Sequence, residues 1–222
     1  GFSHKDSGKA GLIFNMQAGK NRIVSDSSWI SRIHPAYETA LEPAPNWRLP
    51  ESNIRFVAEK DLAGWQTAVY DKAPGFTPSK EIGVWGDAPW NALIKRPIPF
   101  WKDFGIKEAR FEKQVTEKEV VYTAYLPYNM QMTPIIDVTD SKGGTMLFIE
   151  TDHLNGGRQI NLRAEYVTDK GNREYESLGW LNGQKIIIRH DKTSDVQINK
   201  ISYRETGYDG TPEGTFSCDN DF

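Results

Sequence analysis

Along the second half of the chain, apolar and polar positions alternate with a period of two, the period of a strand rather than of a helix. Residues 120–126 are β-branched and aromatic, and residues 133–138 form a second run that ends at the polar turn Asp140-Ser141-Lys142-Gly143-Gly144. Residues 145–151 form a third, leading into the loop 152–158. Residues 162–167 and 173–176 flank Asp169-Lys170-Gly171-Asn172, a sequence suited to a hairpin turn. Asn182-Gly183 marks a further turn before the apolar run 185–190, and strands are expected at 196–205 and 215–217.

The first half is less regular. Residues 11–17 read as a buried strand ended by Gly19, and residues 23–33 read as extended around a Ser-Asp-Ser-Ser turn. Pro35, Pro43, Pro45 and Pro50 remove donors and fix φ, so residues 34–53 are expected to be irregular. Residues 54–58 and the aromatic-led 64–70 are strand candidates, with a short helical turn near Glu59-Lys60-Asp61-Leu62. Trp29 and Trp65 lie in these patterns and are expected in the core. Two prolines in 93–101 mark an edge strand or crossover, and Trp101 is expected to pack at a domain junction. The character changes near Gly105. The expectation is therefore an all-β protein of two unlike β-sandwich modules in tandem, residues 1–105 and 106–222.

Composition supports that class. Seven Trp, nine Tyr and ten Phe make 12% of 222 residues, and 19 Gly and 12 Pro supply turns. A net charge of −3 lacks the basic stripe that nucleic acid or an anionic membrane requires. No apolar run reaches the roughly 18 residues of a membrane helix. The start at Gly1 has no apolar leader core, which leaves the compartment open. The one cysteine, Cys218, excludes an internal disulfide, and its neighbour Asp219 is the wrong setting for a reactive thiolate.

Candidate chemistry is sparse. No phosphate-cradling glycine loop and no nucleophile elbow occur. His4, His34, His153 and His190 show no metal-ligand spacing, so neither a metal nor a cofactor is expected. Among carboxylates, Glu150 with Asp152, Glu165 with Glu174, and Glu205 with Asp209 are near neighbours in sequence or in the expected hairpin. The plainer reading of each pair is a solvated strand face. The better lead is the loop holding Trp85 and Trp90. An exposed indole offers a flat apolar face to a pyranose ring, while Asp87 and Asn91 supply polar partners. The plainer alternative is that both indoles plug a core or an interface. Asp152, His153, Asn155 and Arg158, in a glycine-bearing loop, form a second candidate polar-ligand site; a long solvent-exposed hairpin connection is the alternative. Arg204 and Glu205 read either as a cross-strand ion pair or, with Tyr208, as groups that dock a neighbouring domain.

Leu126-Pro127-Tyr128-Asn129-Met130-Gln131-Met132-Thr133-Pro134, Leu162-Arg163-Ala164-Glu165-Tyr166-Val167-Thr168, Gly179-Trp180-Leu181-Asn182-Gly183 and Tyr203-Arg204-Glu205-Thr206-Gly207-Tyr208-Asp209 form a further pattern. In order and spacing these segments resemble the β-sandwich region of bacterial α-L-rhamnosidases of glycoside hydrolase family 78. Ser25-Asp26-Ser27-Ser28-Trp29 resembles an element of that family's galactose-binding-like module, and Lys95-Arg96-Pro97-Ile98-Pro99 its connector. The resemblance implies two jelly-roll-like sandwiches, the first with its early strands absent or shortened. It also implies that Gly214 to Phe222 runs toward a catalytic (α/α)6 barrel that this chain lacks. No catalytic residue of the family maps onto the sequence. The implied role is a non-catalytic accessory region of an enzyme that removes terminal α-L-rhamnose from glycans, with the barrel and a rhamnose-containing glycan as partners. A periplasmic or secreted location is expected over a cytoplasmic one. The second reading is a stand-alone carbohydrate-binding module that stacks sugars on Trp85 and Trp90.

Overall fold

The computed structural model describes residues 11–40, 53–67, 75–89, 91–153 and 162–210, together with 214, 215, 217 and 219. Trp90, Asn155, Arg158 and Cys218 lie outside the described residues. The fold is all-β: fourteen strands and a single 3-10 turn, Ala58–Lys60, among the described residues. No helix there is long and apolar enough to cross a membrane.

The strands are β1 (Asn15–Ala18), β2 (Asn21–Val24), β3 (Ile30–Ser31), β4 (Tyr37–Ala40), β5 (Asn53–Val57), β6 (Thr77–Pro78), β7 (Lys102–Ala109) and β8 (Phe111–Val115). They continue with β9 (Glu119–Asp140), β10 (Met146–Thr151), β11 (Ala164–Val167), β12 (Gly171–Glu176), β13 (Leu181–Asp191) and β14 (Gln197–Gly207). β9 organises the rest. Its 22 residues exceed an ordinary strand, and it changes partners halfway. Val120 to Ala124 pair with β8 on one side and β13 on the other. Met132 to Asp140 pair instead with β12 and β14. One layer therefore runs β4-β5-β11-β10-β13-β9-β8, and the other runs β12-β9-β14-β7. Alternation governs both halves of β9, with Val120, Tyr122, Ala124, Leu126, Met130, Met132, Ile136 and Val138 facing the core; it breaks at the exposed Pro127-Tyr128-Asn129 between them. Leu147, Ile149, Ile186, Ile188 and Ile201 complete its centre.

Residues 120–126 and 133–138, expected as two strands, are thus one. Pro134 lies inside it, supplying no N–H to the ladder, and its carbonyl accepts the Ser177 N–H at 3.0 Å. The expected hairpin across 169–172 does not form. β11 pairs with β10 and β5, whereas β12 pairs with β9. The turn instead passes from one layer to the other, where Tyr166 and Tyr175 stack with ring centroids 4.4 Å apart. Such burial pushes both phenols above their ordinary pKa, Tyr166 also through Asp169 and Tyr175 against a hydrogen bond involving Ser177.

A bulge in β13 between Gly183 and Lys185 switches which residues face inward. Gly183 is required there, since a Cβ would stand 2.7 Å from Thr151 Cβ. Gly143 is equally constrained: its φ is +78°, and a Cβ would stand 2.8 Å from the Lys170 nitrogen.

The remaining strands form short ladders. β1 and β2 make a hairpin whose Gly19, at φ +62°, opens a two-residue turn. β3 pairs with β6 over two residues. β1 is exposed along its length, not buried as the pattern suggests, because its ladder has one neighbour and no covering layer among the described residues. Trp29 is half-buried against Phe14, 5.7 Å between centroids. Trp65 sits in a turn and is 44% exposed, not in a core strand. Gly64, at φ +78°, and the Trp65 N–H bond to the Leu62 carbonyl fold that segment back on itself. Residues 91–101 form no strand, and neither Thr215 nor Ser217 lies in one.

Candidate functional site

Trp85 lies at one wall of an open depression of about 190 Å³, with Leu12, Ile13, Ile82, Leu93 and Asn91 around it. The indole is 54% exposed. Asp87 points back into its own loop, where its carboxylate accepts the Val84 N–H at 2.9 Å. The Asn91 amide donates to the Pro89 carbonyl at 3.2 Å, and its N–H to the Asp87 carbonyl at 2.8 Å. Asp87 and Asn91 therefore shape the loop beside Trp85, leaving the indole as its outward group.

Asp152 sits at the end of β10, where one carboxylate oxygen accepts the Gln184 and Lys185 N–H groups at 2.8 and 3.0 Å. These are the donors that the β13 bulge turns away from the ladder, and Asp152 satisfies both. The His153 side chain is exposed beside it.

Arg204 and Glu205 do not pair with each other. Neighbours along a strand point to opposite faces, and each finds partners across its own. Arg204 holds Glu176 through two nitrogens, at 2.6 and 3.2 Å, and Asp103 at 2.6 Å. Glu205 accepts from Lys107 at 2.5 Å and from the Tyr128 hydroxyl at 2.6 Å. Those two donors hold its carboxyl below the ordinary range, Lys107 foremost. Lys102 pairs with Asp209 at 2.7 Å.

The carboxylates paired in the sequence reading are separately engaged. Glu150 faces Arg189 at 3.0 Å. Glu165, 1% exposed, is clamped between Arg55 at 2.7 Å and Arg163, while Glu174 is exposed on β12. A buried carboxylate held by two guanidiniums is a structural lock, and neither cation is free to meet a ligand.

Tyr208 belongs to an aromatic group that charge patterns alone do not reveal. The Trp101 ring meets Trp180 edge-on at 5.7 Å and Tyr208 at 6.5 Å. The three are 42%, 42% and 58% exposed. Phe104 is also exposed, with the Lys102 ammonium 5.4 Å from its centroid. These exposed rings form one aromatic patch drawn from three segments of the chain. Glycine and proline around Trp101 and Trp180 disguise the cluster in sequence, since its members come from three separate segments.

No protein-family model matches the sequence, and no curated protein does. Solved structures do. The chain is similar to an α-L-rhamnosidase from Dictyoglumus thermophilum at 14% identity with a TM-score of 0.55, over 84% of this chain and 20% of that one. It is also similar to a GH78 family rhamnosidase of Bacillus sp. GL1 at 14% identity with a TM-score of 0.37, over 56% of this chain and 13% of that one. The chain thus spans about a fifth or less of the length of these enzymes. The first likeness establishes a shared β fold.

Proposed function

We propose that this chain is a non-catalytic accessory region of an α-L-rhamnosidase-like glycoside hydrolase, an enzyme removing terminal α-L-rhamnose from glycans. One observation carries the reading: the fold similarity covers 84% of this chain but only 20% of the α-L-rhamnosidase. Two features add to it. The carboxylates of Glu150, Glu165 and Glu205 are spent on cations and a hydroxyl of their own chain. The Trp101–Trp180–Tyr208 cluster is a fitting surface for a catalytic barrel to rest on.

In this reading the two-module division near residue 105 is kept, with the β4–β5 hairpin handed from the first module to the sheet of the second. Tyr208 contributes to docking directly. Arg204 and Glu205 act by stiffening the strand that presents it. A periplasmic or secreted setting follows from a glycan substrate. The test is turnover of an aryl α-L-rhamnoside by the purified chain. No release of the aryl alcohol above buffer is expected, and release at the rate of a complete rhamnosidase would overturn the reading.

A stand-alone carbohydrate-binding module is the second reading, favoured by the exposed Trp85 indole beside its depression. Titration with a rhamnose-containing oligosaccharide separates the two. A saturable change in Trp fluorescence that is lost in Trp85→Ala supports the binding module, and a response that Trp85→Ala leaves unaltered supports the scaffold.

A further inference from the structure

The two layers of the sandwich are unequal at one edge. β12 ends the smaller layer, and Tyr175 on it stacks over Tyr166 of β11. The larger layer continues past that edge by two strands, β5 and β4. Phe56 on this overhang still stacks on Tyr175 of β12 at 5.3 Å, and Tyr37 packs edge-on to Phe56 at 5.0 Å, toward the uncovered side. The loop after the 3-10 turn folds toward them and brings in Trp65. Two short turns hold it, with N–H bonds from Trp65 to the Leu62 carbonyl at 3.0 Å and from Thr67 to the Gly64 carbonyl at 2.9 Å. His34 braces the indole edge-on at 5.6 Å, and its ring is itself 3.4 Å from Asp61.

The result is an open groove of about 340 Å³ whose accessible aromatic surface comes from Trp65 and Tyr37, with the buried rings of Phe56, Tyr166 and Tyr175 behind them. That volume falls at the small end of ligand pockets, about 300–1,000 Å³. Its rim is polar: Asp61, Gln66, Arg173, Glu174 and Glu176. We propose that this groove is a binding site for a neutral pyranoside, its apolar ring face resting on the Trp65 indole and its hydroxyls bonding to the rim.

The chemistry favours that class over others. A pyranose offers one apolar face and a ring of hydroxyls that both donate and accept. The groove offers aromatic surface beside donors (Arg173, Gln66) and acceptors (Asp61, Glu174). An anionic sugar fits poorly, because Arg173 is already held by Asp169 at 2.6 Å and faces several carboxylates. A cation is not favoured either. Glu176 is paired with Arg204, and among the described residues no three carboxylates or imidazoles converge to hold a metal ion. The proposal uses neither the rhamnosidase similarity nor the Trp85 loop, so it stands or falls apart from the proposed function.

The experiment is a nitrogen-15 NMR titration of the whole chain with methyl α-L-rhamnoside, methyl β-D-galactoside and D-glucuronate, following the Trp65 indole N–H and the Gln66 side-chain amide. At least one neutral glycoside is expected to shift both signals saturably, and glucuronate neither. Trp65→Ala should weaken that binding about tenfold or more, equivalent to about 1.4 kcal/mol. Trp65 is partly exposed, so the variant spectrum should remain folded. If it does not, Glu174→Gln decides the matter: this exposed change should keep the fold and weaken binding severalfold. Absence of any shift with both neutral glycosides would overturn the proposal. So would binding undiminished in the folded variants, or glucuronate binding as tightly as either neutral sugar.

Discussion

Residues 102–207 and the segments 11–33 and 75–101 are both rich in aromatic and branched side chains, yet only the first region buries them. In the sandwich, Met132, Leu147, Ile149, Ile186, Ile188 and Ile201 are all sealed from solvent. In the other segments, Leu12, Ile13, Ile33, Val84, Ile94 and Phe100 are exposed among the described residues. Composition does not separate them; ladder length does. β9, β13 and β14 carry eleven residues or more each and pair on both sides, so every inward position meets an opposing layer. β1 with β2 and β3 with β6 pair in twos over four and two residues. A lone two-stranded ribbon has no second layer to bury its face against, and is marginal by itself.

The sharpest way to break the contrast is to remove equal apolar bulk from each region. Ile186→Ala, in the sealed core, should cost about 2–5 kcal/mol in urea unfolding. Ile94→Ala, at an exposed position, should stay within about 0.5 kcal/mol. Equal losses would mean that the segment 91–101 is packed after all.

Acid should reveal a second difference, because the sandwich contains a buried carboxylate. Burial alone would raise Asp140, but the Thr168 hydroxyl, the Gly143 and Lys142 N–H groups and Thr145 hold it at about 2. A depressed folded value means that its contribution is complete above its unfolded pKa, near 4, and is lost as pH falls toward 2. That contribution is about 2 kcal/mol, and Asp140→Asn should flatten this part of the stability–pH curve.

Asp152 tests the bulge more gently. Asp152→Ala leaves the Gln184 and Lys185 N–H groups to water at an exposed site, and should lower the unfolding free energy by about 1 kcal/mol. Gln184 and Lys185 amide exchange should quicken more than that of Ile188. A smaller loss than that of Asp152→Ala is expected of Arg204→Gln. It removes an exposed ion network with Glu176 and Asp103, whose contribution solvent screens and high salt lowers further.

The class of the fold and the cores of β10, β13 and β14 are legible in the sequence, because alternation is a local signal that burial enforces; β9 reads as two strands, and β7 and β8 escape notice because nearly all their residues are exposed. Layer membership is not legible in the sequence. A break in the strand pattern is recognised at 169–172, although Gly171 and Asn172 already belong to β12, and its flanking strands are assigned to each other, since turn chemistry does not say whether the chain returns to the same sheet. The stacking of Tyr166 on Tyr175 decides that, across a gap that no spacing rule measures. Trp65 misleads in the opposite direction: its neighbours look strand-like, but Gly64 at φ +78° turns the chain there. The candidate sites divide the same way. The turn-rich loop around Trp85 is compatible with both a plugged and an exposed indole, and the indole is exposed, whereas the role of Asp152 depends on a bulge about thirty residues away in β13. The Trp65 groove has no sequence signature, because its walls come from β4, β5, β11, β12 and a loop.

The contrast between a self-sufficient sandwich and short, uncovered ladders is most directly tested by native-state hydrogen exchange across the whole chain. The inward-paired amides of β9, β13 and β14 should exchange only through global unfolding, and those of β1, β2 and β3 through local opening at far lower free energy. Protection of β1 to β3 equal to that of β9 would contradict the account.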